Sequence, residues 1–134
     1  MGSALIIGFG ITFSWNQSRP VCQISDTDFS FKKDCIINFL NDDEGLGLNH
    51  LKAWIKKGLI EVEKINTGKS DFYDMWGQAW GAEISREGVT IYWGYSETDY
   101  TQFLPFDSFY ILLKNWSNFL ESGNNKYEEK EFKI

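Results

Sequence analysis

An α+β fold, an antiparallel sheet with helices packed mainly on one face, is the class this sequence predicts, and three observations predict it. Segments near 4–14 and 79–95 alternate apolar with small or polar residues at a period of two, the mark of strands. Segments near 30–41, 48–66 and 107–122 repeat apolar residues every three or four positions, the mark of amphipathic helices. The later strands follow one another directly instead of alternating with helices, which favours hairpin pairing over a parallel sheet.

In the first strand, Leu5, Ile7, Phe9, Ile11 and Phe13 form one apolar face, and Gly8 and Gly10 lie on the other, which suggests a strand in the interior of a sheet. Past the turn at Ser18-Arg-Pro20, Phe31, Cys35, Ile36, Phe39 and Leu40 recur at helical spacing, with Asp28 or Ser30 in position to cap. Asp42-Asp-Glu-Gly45 reads as a solvated acidic turn. Leu48, Leu51, Ile55, Leu59 and Val62 define a second helix that Gly68 closes. Trp80, Ala82 and Ile84, then Val89, Ile91, Trp93 and Tyr95, form the core-facing sides of a hairpin turned at Glu87-Gly88. Thr101 to Leu104 adds a short strand. Phe109, Leu112, Leu113, Trp116, Phe119 and Leu120 mark the last helix, which Asp107 or Ser108 can cap and Gly123 can end. Residues 1–123 read as one domain, and 124–134 as a charged tail, frayed or extended.

A chain of 134 residues with 43% apolar content can close one core without a disulfide framework, so Cys22 and Cys35 are expected to be buried, reduced thiols. No apolar run approaches the roughly 20 residues that cross a bilayer, and no basic region precedes Ala4 to Ile7, so the expectation is a cytoplasmic protein without a membrane partner. A net charge of −6 opposes binding to nucleic acid, which depends on Lys and Arg displacing counterions. That excess is local. Residues 71–121 carry eight carboxylates against Arg86 and Lys114, while the segments on either side are each neutral. The same segment holds 14 of the 23 aromatic residues, so rings and acids share one part of the chain.

Catalytic chemistry has little to stand on. The only histidine, His50, falls in a polar turn at the start of a helix, where a surface or capping role suits it better than acid–base work. Neither cysteine lies beside a residue that would activate it, and two cysteines with one histidine make no zinc site. The Asp42-Asp-Glu44 run lacks the alternating ligands of a calcium loop. Carboxylates are numerous enough for glycosidase-type chemistry, and tryptophans could line a sugar groove, so a carbohydrate-binding or hydrolytic protein is one alternative. A small adaptor domain is another. The expectation is a protein that is not an enzyme and needs no cofactor or metal.

Binding is the function that composition favours. Tyr and Trp are common anchors of protein interfaces, and carboxylates around them steer a basic partner. On the hairpin, Tyr92 and Glu83 point away from Ile91 and share the outer face. The candidate partner-binding residues are Glu97, Asp99 and Tyr100 in the loop Ser96-Glu-Thr-Asp-Tyr100, Tyr92 and Glu83 on the hairpin, and Asp71, Tyr73 and Asp74 just before it. A basic partner with a cleft built for phosphates suggests a nuclease.

The stretch Thr101-Gln-Phe-Leu-Pro-Phe-Asp-Ser-Phe-Tyr-Ile-Leu-Leu-Lys-Asn-Trp-Ser-Asn-Phe-Leu120, after an aromatic hairpin, resembles the C-terminal part of bacterial immunity proteins from contact-dependent growth inhibition and other polymorphic toxin systems. The resemblance covers about the last 50 residues and carries no catalytic motif. It implies a small cytoplasmic domain that binds and neutralises one cognate toxin domain, frequently a nuclease, by occlusion. It assigns no interface residue by position.

Overall fold

The computed structural model describes residues 10–17, 19–24, 32–94 and 101–122, together with the backbone of 129–133. The described chain runs β1 (Gly10–Asn16), β2 (Arg19–Ile24), α1 (Lys33–Leu40), α2 (Leu48–Asn66), β3 (Phe72–Trp76), β4 (Trp80–Ser85), β5 (Gly88–Trp93), β6 (Thr101–Leu104), α3 (Phe106–Glu121) and β7 (Glu129–Lys133). The fold is α+β, and both of its sheets are antiparallel throughout.

The expectation of a single sheet is corrected: the strands form two. One has the order β2-β1-β7 and the other β3-β4-β5-β6. The helices accordingly do not cover one face of one sheet. α1 packs against β2 and also against β4, β5 and β6, and α3 packs on β5 while its rings meet those of β1. Each sheet therefore turns one face to the helices, and helical side chains fill the space between them.

Alternation places the core. Ile11, Phe13 and Trp15 of β1 are buried, as are Cys22 and Ile24 of β2, which stand opposite Phe13 and Ile11. β1 is the central strand of its sheet, as its glycine-bearing face suggested; its first predicted residues, 4–9, lie outside the described residues. Phe13 meets Trp116 edge-on at 4.7 Å between ring centroids, and Trp15 stacks on Phe119 at 5.0 Å. In the other sheet, Met75, Ala82, Ile84, Val89, Ile91 and Leu104 face the helices. Trp93, expected in the core, ends β5 opposite Trp80 and is 37% exposed, and Tyr95 lies outside the described residues.

α2 matches its predicted span, and its end is satisfied in Schellman fashion, with the Gly68 N–H donating to Ile65 O and the Lys69 N–H to Lys64 O at 2.8 Å. α1 begins at Lys33 with Lys32 in the capping position, and Asp28 and Ser30 lie outside the described residues. α3 begins one residue earlier than predicted. Pro105 occupies its N-cap, so Asp107 falls in the first turn, where a carboxylate favours the positive end of the helix dipole. Within the predicted tail, Glu129–Lys133 is extended and pairs with β1.

Candidate functional site

The outer face of the four-stranded sheet is the surface where rings and acids meet. Side chains alternate along each strand, so Phe72, Asp74 and Trp76 of β3 share this face with Glu83 of β4, Thr90 and Tyr92 of β5, and Phe103 of β6. Phe72 is 54% exposed, Trp76 44% and Phe103 54%. The register aligns them in rows: Asp74 opposite Glu83, Glu83 opposite Thr90, and Thr90 opposite Phe103. The neighbouring row runs Trp76, Gly81, Tyr92, Thr101.

Gly81 shapes that second row. A Cβ there would lie 2.6 Å from the Tyr92 ring and 2.8 Å from Trp76, so only glycine leaves room for the two rings to lean over the strand between them. They stack with centroids 5.8 Å apart and planes 13° from parallel. The Tyr92 hydroxyl donates to Asp74 Oδ1 at 2.8 Å, which ties the ring pair to the acidic row.

Partial burial, that hydrogen bond, and the charges of Asp74 and Glu83 all favour the neutral phenol, and they hold the Tyr92 hydroxyl well above the usual tyrosine pKa. The folded chain keeps this proton while an unfolded chain begins to release its own near pH 10. The stability this provides is fully present below about pH 10 and is lost as pH rises through the folded value. Tyr92→Phe removes the group, so its urea midpoint is expected to fall less than that of the wild type between about pH 9 and 11. Parallel falls would show that Tyr92 does not feel the two carboxylates.

Of the sequence-predicted residues, Tyr92, Glu83 and Asp74 come together on this face. Asp71 is exposed in the bend that leads into β3, outside the ladder. Tyr73 is corrected: it has the opposite parity and packs against the core. Glu97, Asp99 and Tyr100 lie outside the described residues. Phe72, Trp76 and Phe103 were not singled out as members of one face, and the signal that finds them is the register of β3 and β6.

The edge of this sheet at β3 is closed to strand addition at both ends. Ser70 Oγ donates to Phe72 O at 3.3 Å, and Trp54 Nε1 donates to Trp76 O at 3.0 Å. Arg86, in the turn between β4 and β5, is held elsewhere, bonded to Asn66 Oδ1 at 3.0 Å and placed over the Phe106 ring.

The other candidates for chemistry have structural duties. Cys22 and Cys35 are free and buried, and burial pushes their thiols up to about 12 and about 11, the reverse of what a nucleophile needs. His50 pairs with Glu44 Oε2 at 2.8 Å. Among the described residues no group of three His, Cys, Asp or Glu could hold a metal ion, and no described helix is long and apolar enough to cross a membrane. A cleft of about 460 Å³ opens between β2, the end of α1 and the start of α2, with Arg19, Cys22, Asn41, Asp43 and Leu48 in its walls, but no acid–base pair converges there. Comparison with protein-family models, with curated proteins and with solved structures finds no match to this chain.

Proposed function

We propose that this protein is an immunity protein. It binds the cognate toxin domain of a bacterial contact-dependent or polymorphic toxin system in the cytoplasm and neutralises it by occlusion, without catalysis of its own. The toxin domain is basic, with a nuclease the class that best suits an acidic blocker. The observation that carries this reading is the outer face of the four-stranded sheet, where Phe72, Trp76 and Phe103 stand exposed around Asp74 and Glu83. The four strands of that sheet contain no Lys or Arg. Exposed anchors ringed by one sign of charge suit a protein partner of the opposite sign. The resemblance of Thr101 to Leu120 to immunity proteins supports the same conclusion.

The test is co-expression with the toxin domain encoded directly upstream, scored by survival and by pull-down. Wild-type protein is expected to protect. Changing Asp74 and Glu83 together to Lys is expected to weaken capture on the order of 100-fold, since like charges brought face to face oppose docking. Full protection and undiminished capture by the double variant would remove this face from the interface.

A further inference from the structure

We propose that this face receives an arginine side chain of the partner, its guanidinium bonded to Asp74 and Glu83 and its plane laid against the Trp76–Tyr92 ring pair. The inference rests on the reading of the face as the docking surface and names the chemistry it takes.

The first ground is a charge conflict built into the ladder. Asp74 and Glu83 are direct cross-strand partners. The carbonyls of Phe72 and Trp76, two residues to either side of Asp74, point away from β4 to Ser70 and Trp54. Asp74 has the same parity, so it and Glu83 form the non-hydrogen-bonded kind of pair, with Cα atoms about 4.5 Å apart and side chains at their closest. Like charges placed this way destabilise a sheet. Among the described residues no cation pairs with either carboxylate; Asp74 is met by the Tyr92 hydroxyl, a neutral donor. A cation supplied by a partner turns the repulsion into two attractions.

The second ground is the rings, which select the kind of cation. Two carboxylates on adjacent strands call for a donor that reaches both, and guanidinium carries five N–H groups in a planar fork, whereas ammonium is a compact, strongly hydrated point. Guanidinium also stacks on aromatic faces, and the exposed Trp76 ring, held flat by Tyr92, lies in the row next to the carboxylates. A second copy of this chain is a poor occupant, because it would set the same carboxylates against each other.

The test is titration of the full-length chain with hexa-arginine, hexalysine and hexacitrulline peptides, followed by calorimetry and by the amide resonances of Asp74, Glu83 and Tyr92. Hexa-arginine is expected to bind at least about fivefold more tightly than hexalysine, and hexacitrulline, which keeps the shape without the charge, not measurably. Asp74→Asn and Glu83→Gln are each expected to weaken hexa-arginine by about tenfold, while Asp107→Asn, the same charge change on α3, stays within about twofold. Glu83→Gln removes a repulsion and no described hydrogen bond, so it is expected to melt no lower than the wild type, and its binding defect cannot be unfolding. Equal affinity for arginine and lysine peptides, or losses at 74 and 83 no larger than at 107, would overturn the arginine site. Protection from toxin would in that case leave the immunity reading standing. Arginine selectivity without protection would overturn the immunity reading and leave the arginine site.

Discussion

Trp116→Ala is expected to lower stability by about 4–5 kcal/mol, a large share of the roughly 5–15 kcal/mol that holds a domain of this size together. Trp116 is fully buried on α3. Its ring meets Phe13 of β1 edge-on and stacks with Phe119 at 6.1 Å, and its Nε1 donates to Leu40 O at the end of α1 at 2.9 Å. Truncation therefore opens a cavity where the three-stranded sheet meets the helices and leaves a buried carbonyl without its donor. Trp116→Phe keeps much of the ring volume and removes the donor, so it is expected to lose about half as much. Urea unfolding of both variants measures the split. A loss below about 1.5 kcal/mol for the alanine variant would mean that the core is not organised around this ring. Trp116 is buried and none of its ring or hydrogen-bond partners belongs to the aromatic sheet face, so partner capture by the folded phenylalanine variant should be unchanged.

Elements whose two faces differ in polarity were legible in the sequence. β1, the β4–β5 hairpin and all three helices show one apolar side; the hairpin and the helices lie close to their predicted spans, and the described part of β1 runs two residues past its own. β3 was not legible, because Phe72 and Trp76 on one side and Tyr73 and Met75 on the other blur the alternation that marks a strand. β7 was missed for a different reason. Its Glu-Lys-Glu-Phe-Lys order has no apolar period, and its conformation comes from pairing with a strand more than 110 residues earlier in the chain. β2 (Arg19–Ile24) was not predicted as a strand either, and without β2, β3 and β7 the remainder reads as a single sheet. The candidate site was legible to the same degree: the hairpin's own alternation put Glu83 and Tyr92 together, whereas Trp76 and Phe103 join them only through tertiary register.

The largest revision concerns the acidic turn after α1, and it leads to the second strong expectation: Asp42→Ala should cost about 3 kcal/mol and loosen the end of β3. Local sequence made Asp42 a solvated carboxylate. In the fold its Oδ2 accepts from the backbone N–H groups of Gln78, Ala79 and Trp80 at 2.9, 2.8 and 2.9 Å, so one oxygen closes the β3–β4 turn. Each bond to a charged acceptor is worth about 1.5–3 kcal/mol, but Gln78 is exposed and water can replace part of the loss, which keeps the expected total well below the sum. The approach is close enough to dictate Gly77, where a Cβ would lie 2.6 Å from Oδ2 and 3.2 Å from the Trp54 ring. Trp54 in turn donates to Trp76 O, so the clamp holds the residue that begins the ring pair of the aromatic sheet face. Asp42→Ala should therefore speed amide exchange at Ala79 and Trp80 and weaken partner capture although Asp42 is not on that face. Asp42→Asn retains an acceptor without the charge and should fall between alanine and wild type. Unchanged exchange at those two amides in the alanine variant would show that the turn stands without its carboxylate.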